Sequence, residues 1–545
     1  MAAAASAGPH LAGAWLPGEA PPAFAPEAIG ALAADVRRPL HVLWHPDARA
    51  FGVGAGGSVA AGARPPGTVP LVGTLPPMYP EWLGDPGFRA AHGVRFAYVA
   101  GEMANGIATA DMVLAMARAE MLAFFGAAGL PLPRVEAALA QIQSALGPDG
   151  PAWGTNLIHS PQDPVLEEAT VDLYLRRAVA RVSASAFMAL RPSVVRFAFA
   201  GLRRGPDGRP VRPRHVMAKV SRPEVAGPFL SPPPADMLEA LVRQGALSAE
   251  EASLAAALPV AEDVTVEADS GGHTDNRPLV GLLPEIAGLR DRLARRYGYQ
   301  APPRVGCAGG LGTPQAVAAA FAMGAAYVLT GTVNQAAVES GLSEAGKRML
   351  AAAAGADVAM APAADMFELG VRVQVLKRGT LFAARAARLY ELYRAHAGIE
   401  AIESGERQRL ERDVFRAPLD EIWAQTRRHT LEGGTERAAR ADSDPKYRMA
   451  LVFRWYLGNA SRWAVAGEPT RQADYQIWCG PAMGAFNSWV AGSFLEDLGR
   501  REVAQIGLNL MEGAAVVTRA QQLRAHGVPV PASAFAPMPR PLRSR

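Results

Sequence analysis

The chain has 545 residues, 50% of them hydrophobic, with 55 Lys and Arg against 51 Asp and Glu and a formal net charge of +4. That length and apolar content suit two or three domains or one large barrel with insertions, and they exclude a disordered or fibrous chain. The near balance of charge gives no argument for nucleic acid or a membrane surface, and the two cysteines, Cys307 and Cys479, exclude a disulfide framework and fit a reducing cytoplasm.

The chain opens on MAAAASAGPHLAGAWLPGEAPP, which has no basic leader segment and is broken by Pro and Gly, so neither a signal peptide nor a membrane span is expected. Residues 1–90 carry many Pro and Gly around short strand candidates, LHVLWHP and TVPLVGTL, and are expected to form an N-terminal subdomain. Within them Gly52, Gly54 and Gly57 match G-x-G-x-x-G, but the Pro-rich run that follows excludes the helix a dinucleotide-binding fold requires there.

From Val94 the pattern alternates. Short apolar runs, VRFAYVA, MLAFFGA, WGTNLIH, RVSASAF, HVMAKVS, DVTVEAD, RVGCAGG and AYVLTGT, are separated by stretches with apolar residues at helical spacing, such as TADMVLAMARAE and LPRVEAALAQIQSAL. Thr109, and Thr313 followed by Pro314, supply helix-start signals at two of the boundaries. Eight such units predict an α/β fold, a (β/α)8 TIM barrel over 91–335. Residues 222–262 exceed one crossover and are expected as a helical insertion over the barrel, a candidate lid. Residues 336–525 are expected as a helical C-terminal region, and 526–545 as a disordered tail.

The chemistry is expected at the strand ends. The sixth run ends in Ser270-Gly271-Gly272-His273, where a backbone without side chains can lie flat against a ring and a titratable imidazole follows. A lone histidine is more often structural, but the position on the catalytic face assigns His273 to the active site. The seventh and eighth runs end in glycine turns, Gly309, Gly310 and Gly312, then Gly331 and Thr332, whose free backbone N–H groups suit a phosphate. Met103 and Asn105 after the first run, and Asn156 and His159 after the third, offer contacts to a ring and its amides, although Met is more often core and Asn often caps a turn. Lys219 in an apolar strand has two readings, a salt bridge to a carboxylate such as Glu267 or a cation beside a flavin. The ten His and two Cys form no paired spacing, so no metal site is expected.

GEMANGIA, FFGAAGL, NLIHSP, SASAFM, AKVSRPEVA, VEADSGGHTDNRPL, AGGLGTP, LTGTVNQA, APAADMFELGV, LVFRWYLG and DYQIWCGPAMGAFN occur in this order. On these segments, from about Gly93 to Ala515, the chain resembles the trans-acting enoyl reductases of bacterial polyketide and polyunsaturated-fatty-acid synthases, within the nitronate monooxygenase-like superfamily. The resemblance implies bound FMN, NADPH as hydride donor, and reduction of 2-enoyl thioesters carried by acyl carrier protein domains. It places Met103, Asn105, Asn156, Lys219, Gly271, Gly272, Gly309, Gly310, Gly312, Gly331 and Thr332 around the flavin. His273 is then the catalytic residue, either as the acid for Cα or as the anchor of the thioester carbonyl. Related oxidases have Glu-Ala-Gly-Gly-His where this chain has Asp-Ser-Gly-Gly-His. A nitronate-type flavin oxidase and a non-catalytic docking component of a synthase are the alternatives. Arg385 and Arg388, on FAARAARLYELYR, are either contacts for an acidic carrier protein or a solvated helix face. No nucleic-acid or membrane partner is expected, and a homo-oligomer is left open.

Overall fold

The computed structural model describes residues 9–62, 65–161, 163–432 and 435–543. The outermost parts of two expected segments, 1–8 and 544–545, lie outside the described residues.

Five antiparallel strands build the N-terminal subdomain: β1 Gly13–Leu16, β2 Leu40–His45, β3 Ala50–Ala55, β4 Ser58–Ala60 and β5 Val69–Leu75, in the order β3-β2-β5-β1-β4. Gly52 and Gly54 lie in β3, on a hairpin arm paired with β2, and a Cβ at Gly54 would sit 2.8 Å from the Trp15 ring. These glycines therefore serve sheet packing, in a strand and not in a turn that opens a helix. Ile29, Val42 and Val53 pack with Leu523 from the helix Val503–Ala525, so the sheet is fastened to the C-terminal end of the chain.

The barrel follows. Its strands are β6 Tyr98–Ala100, β7 Leu122–Phe125, β8 Gly154–Ile158, β9 Arg181–Ser185, then β12 His215–Val220, β13 Asp263–Glu267, β15 Arg304–Ala308 and β16 Val328–Thr330. The intervening β10 Arg203–Arg204 and β11 Pro210–Val211 form a small hairpin, and β14 is Gly272–His273. The eight long strands are parallel and close into the expected barrel, β16 pairing with β6. Thr109 and Thr313 each accept a backbone N–H from three residues ahead, which fixes the starts of Ala110–Arg118 and Pro314–Ala322.

The N-terminal end of the barrel encloses a charged hub. Asp263, fully buried on β13, accepts from His92 Nε2 at 2.9 Å and from Arg304 at 2.7 Å twice, while Arg181 donates to His92 Nδ1 at 3.1 Å. Burial works to raise the Asp263 pKa, but these partners outweigh it and hold it at about 2.

Three expectations change. The insertion forms the helices Pro223–Phe229, Ala235–Arg243 and Ala249–Ala255, the last fixed by a Ser248/Glu251 capping box, yet none of its residues reaches the cavity described below. It packs on the flank of the barrel and is not a lid. The C-terminal region is not wholly helical, because β17 Val358–Pro362 and β18 Arg372–Leu376 form an antiparallel hairpin whose β18 also pairs with β14. The β-branched residues Val371, Val373 and Val375 suit a strand, and from Val373 to Leu376 it is buried on both faces. The expected disordered tail is packed over its described part: Val528 is buried, Leu542 exchanges two hydrogen bonds with Gln505, and Trp489 Nε1 donates to Pro537 O at 2.7 Å.

In the C-terminal region a long helix, Pro445–Ala466, packs with Leu419–Glu432 and Phe382–Ala395. The buried Asp474 carboxylate gathers Arg385, Arg416, Arg471 and the Tyr456 hydroxyl beneath them. Arg385 is therefore a structural ion-pair partner, and Arg388 is paired with Glu406 at 2.9 Å. Among the described residues no helix is long and apolar enough to cross a membrane.

Candidate active site

The C-terminal ends of the barrel strands open into a cavity of about 860 Å³, within the range of small-molecule and cofactor sites. Its floor is the barrel mouth. Its roof is Leu451, Trp455 and Asn459 of the helix Pro445–Ala466, with Thr426 of the neighbouring helix and Trp478. The cover thus comes from the C-terminal region, not from the insertion.

Met103, Asn105, Asn156, Lys219, Gly271, Gly272, His273, Gly309, Gly310, Gly331 and Thr332 all line this cavity. Gly312 does not. A Cβ there would lie 2.1 Å from the carbonyl oxygen of Ala482, so its role is close packing against the 480–484 segment.

His273 leaves the barrel edge as the second residue of β14, opposite Val373 of β18. Gly272 before it has φ +88, a left-handed conformation that glycine adopts without strain. Gly271 is held for a different reason from the expected ring contact, since a Cβ would meet Cys479 N at 2.8 Å and Thr332 Oγ1 at 2.9 Å. The close approach is thus to the protein's own atoms. His273 Nε2 lies 3.1 Å from Asp365 Oδ1. Burial works to lower the imidazole pKa, but the Asp365 hydrogen bond and charge, with a contribution from Glu267, raise it overall. The arrangement favours an imidazolium at the cavity wall, paired with a carboxylate that lines the same cavity.

Lys219 is not a free cation. Its Nζ lies 3.1 Å from Glu267 Oε1, as the salt-bridge reading expects, and 3.4 Å from Glu102 Oε1. Burial opposes its charge, but carboxylate charge beside it holds its pKa well above the ordinary lysine value.

Asn156 is buried and donates to Ser183 O and Ser185 Oγ at 3.1 and 2.8 Å, which fixes its amide across the β8 and β9 ends. Asn105 holds φ +58 and donates to Ser461 Oγ at 3.1 Å, joining the first strand end to the roof. Gly309, at φ +92, turns tightly against Ala268 and Asp269. At Gly310 and Gly331 an added Cβ would meet nothing within 4 Å, so both turns present open backbone to the cavity. Two such corners on adjacent strand ends fit the phosphate of a mononucleotide, and the residues present therefore fit FMN.

Periodicity left several lining residues unread. Glu102, Gln335, Asp365 and Trp478 have no helical or strand repeat to mark them; Asp365 and Trp478 lie in the segments APAADMFELGV and DYQIWCGPAMGAFN, and Glu102 in GEMANGIA. His159 lines the wall but is tied to Glu167 Oε2 at 2.9 Å and stacked on Phe187.

Residues 396–475 match the family of the inserted helical domain of [acyl-carrier-protein] S-malonyltransferase, so the match covers much of the roof. The chain is 46% identical over 443 residues to polyketide biosynthesis protein ThaF of Burkholderia thailandensis, across 81% of this chain and 38% of that protein. It is 43% identical over 437 residues to polyketide biosynthesis protein PksE of Bacillus subtilis, across 80% of this chain and 56% of that protein. A polyunsaturated fatty acid synthase component of Thraustochytrium sp. is 47% identical over 449 residues, across 81% of this chain and 30% of that protein. The chain thus spans about half or less of the length of the curated relatives it matches. Among solved structures, the enoyl reductase domain of MlnA, from the macrolactin biosynthesis cluster of Bacillus amyloliquefaciens, superposes with a TM-score of 0.78 at 36% identity, covering 82% of this chain and 99% of that domain.

Proposed function

Since the chain belongs to the family of enoyl reductases of polyketide and polyunsaturated-fatty-acid synthases, we propose that it acts in trans to reduce the 2,3 double bond of 2-enoyl thioesters borne by acyl carrier protein, using FMN and NADPH. The observation that carries this reading is the His273–Asp365 pair on the wall of a roofed cavity whose floor offers two open glycine turns. Bound FMN would supply hydride transfer from NADPH to the β-carbon.

The chain's own residues have separate tasks. Gly310, Gly331 and Thr332 would hold the phosphate through backbone N–H groups and a hydroxyl. Met103 and Asn105 at the neighbouring β6 end and Asn156 on β8 would bound the ring. His273, kept protonated by Asp365, delivers the proton that Cα requires once the β-carbon has gained hydride. Leu451, Trp455 and Trp478 exclude water from that step.

The test is an anaerobic assay with NADPH and an enoyl thioester on a carrier protein, with the flavin spectrum recorded alongside. Saturated acyl product supports the reading. Turnover only with a nitronate and oxygen would move the protein to the oxidase branch, and a colourless chain that takes up no FMN would leave the docking alternative.

A further inference from the structure

Glu102 follows β6 and lines the cavity with its side chain only 5% exposed, yet neither carboxylate oxygen has a hydrogen-bond partner among the described residues. Its one compensating charge is Lys219 on β12, and Lys219 is shared with Glu267 on β13, which is closer to it. Glu267 is also better served, being 19% exposed and accepting from Ser270 Oγ at 3.3 Å. With all three groups ionised the cluster would carry one net negative charge at the floor of a roofed cavity. One ammonium cannot compensate two carboxylates there, so one of them takes a proton, and the deeper, unserved one is Glu102.

We infer that Glu102 holds a proton in the resting protein, as a neutral carboxylic acid buried at the cavity floor beside the Lys219–Glu267 pair. The proton does not rest on the flavin reading. Burial pushes the Glu102 carboxyl up and outweighs the pull of Lys219, of the residue's own backbone N–H and of Ser183, with a smaller upward push from Glu267. The Ser183 hydroxyl on β9, itself buried, is placed to donate to a Glu102 carboxyl oxygen. His273 is the other titrating group that registers Glu267 and Lys219, and its charge adds to the field at this floor. The neutral acid leaves Lys219 and Glu267 as a balanced pair.

The proposal is tested by infrared difference spectroscopy on the full chain near neutral pH, in H2O and D2O, with and without added FMN. A carboxylic-acid C=O band that shifts in D2O and disappears in Glu102→Gln is expected. Glu267→Gln is expected to remove the same band, because Glu102 then ionises against Lys219. Identical spectra for the wild type and Glu102→Gln would overturn the inference, and a band that survives Glu267→Gln would overturn the sharing of Lys219 as its cause. Circular dichroism confirms that each variant is folded. Failure to take up FMN would count against the flavin reading, and the apoprotein band would then decide the protonation of Glu102 by itself.

Discussion

Gln374 on β18 donates to the Asp269 carboxylate at 2.8 Å, and through this contact the C-terminal hairpin grips the loop that carries His273. The same Nε2 donates to Ser270 O at 2.9 Å, while Asn276 Nδ2 bridges Asp269 and the Gln374 side-chain oxygen, at 2.9 Å to each. Gln374 is buried, so none of these bonds is exchanged for water without cost.

Gln374→Ala should therefore lower stability by about 1–3 kcal/mol, the usual cost of leaving buried partners unmet. It should also lower turnover more than FMN affinity, because the loop it frees positions His273 and not the phosphate corners. Thermal unfolding together with flavin titration checks both halves.

His273→Ala should retain FMN and lose reductase turnover by roughly 10²–10⁴-fold, the range for a positioned acid. Wild-type rates would remove the imidazole from the chemistry. Asp365→Asn should move the alkaline limb of the rate profile to lower pH, since the carboxylate raises the His273 pKa. The sign is the same for stability: the pair's contribution is complete between 3.8 and 6.5 and is lost as pH rises through the higher folded value of His273.

Acid should attack the opposite end of the barrel. Asp263 is held at about 2 against an ordinary 3.8, so its partners contribute stability above 3.8 that is lost as pH falls towards 2. Asp263→Asn leaves Arg304 and Arg181 buried without that charge and should cost about 3–5 kcal/mol. Denaturant unfolding at neutral and acid pH should show the gap between wild type and variant closing as the pH drops.

Two glycines separate binding from packing. Gly331→Ala, at an ordinary φ of −122 and with open space at its Cβ, should leave the melting temperature unchanged and weaken FMN. Gly312→Ala, driven into Ala482 O, should melt early. A reversed pattern in paired melting and flavin-binding curves would reverse the roles assigned to the two turns.

The barrel was legible in the sequence because its determinants are local. Eight apolar runs of strand length, helical spacing between them and Thr caps at 109 and 313 are properties of short windows, and the glycine turns at 309–310 and 331 announce themselves by composition. Tertiary structure alone decided what closes the site. Asp365 stands 92 positions beyond His273 and meets it only because β18 pairs with β14. Lys219 was suspect as a buried charge, but its second partner, Glu102, became visible only when β6 and β12 faced each other across the barrel mouth. The roof has no periodic signature linking it to the floor it covers, because contacts between distant segments depend on how whole helices pack and not on the order of residues within them.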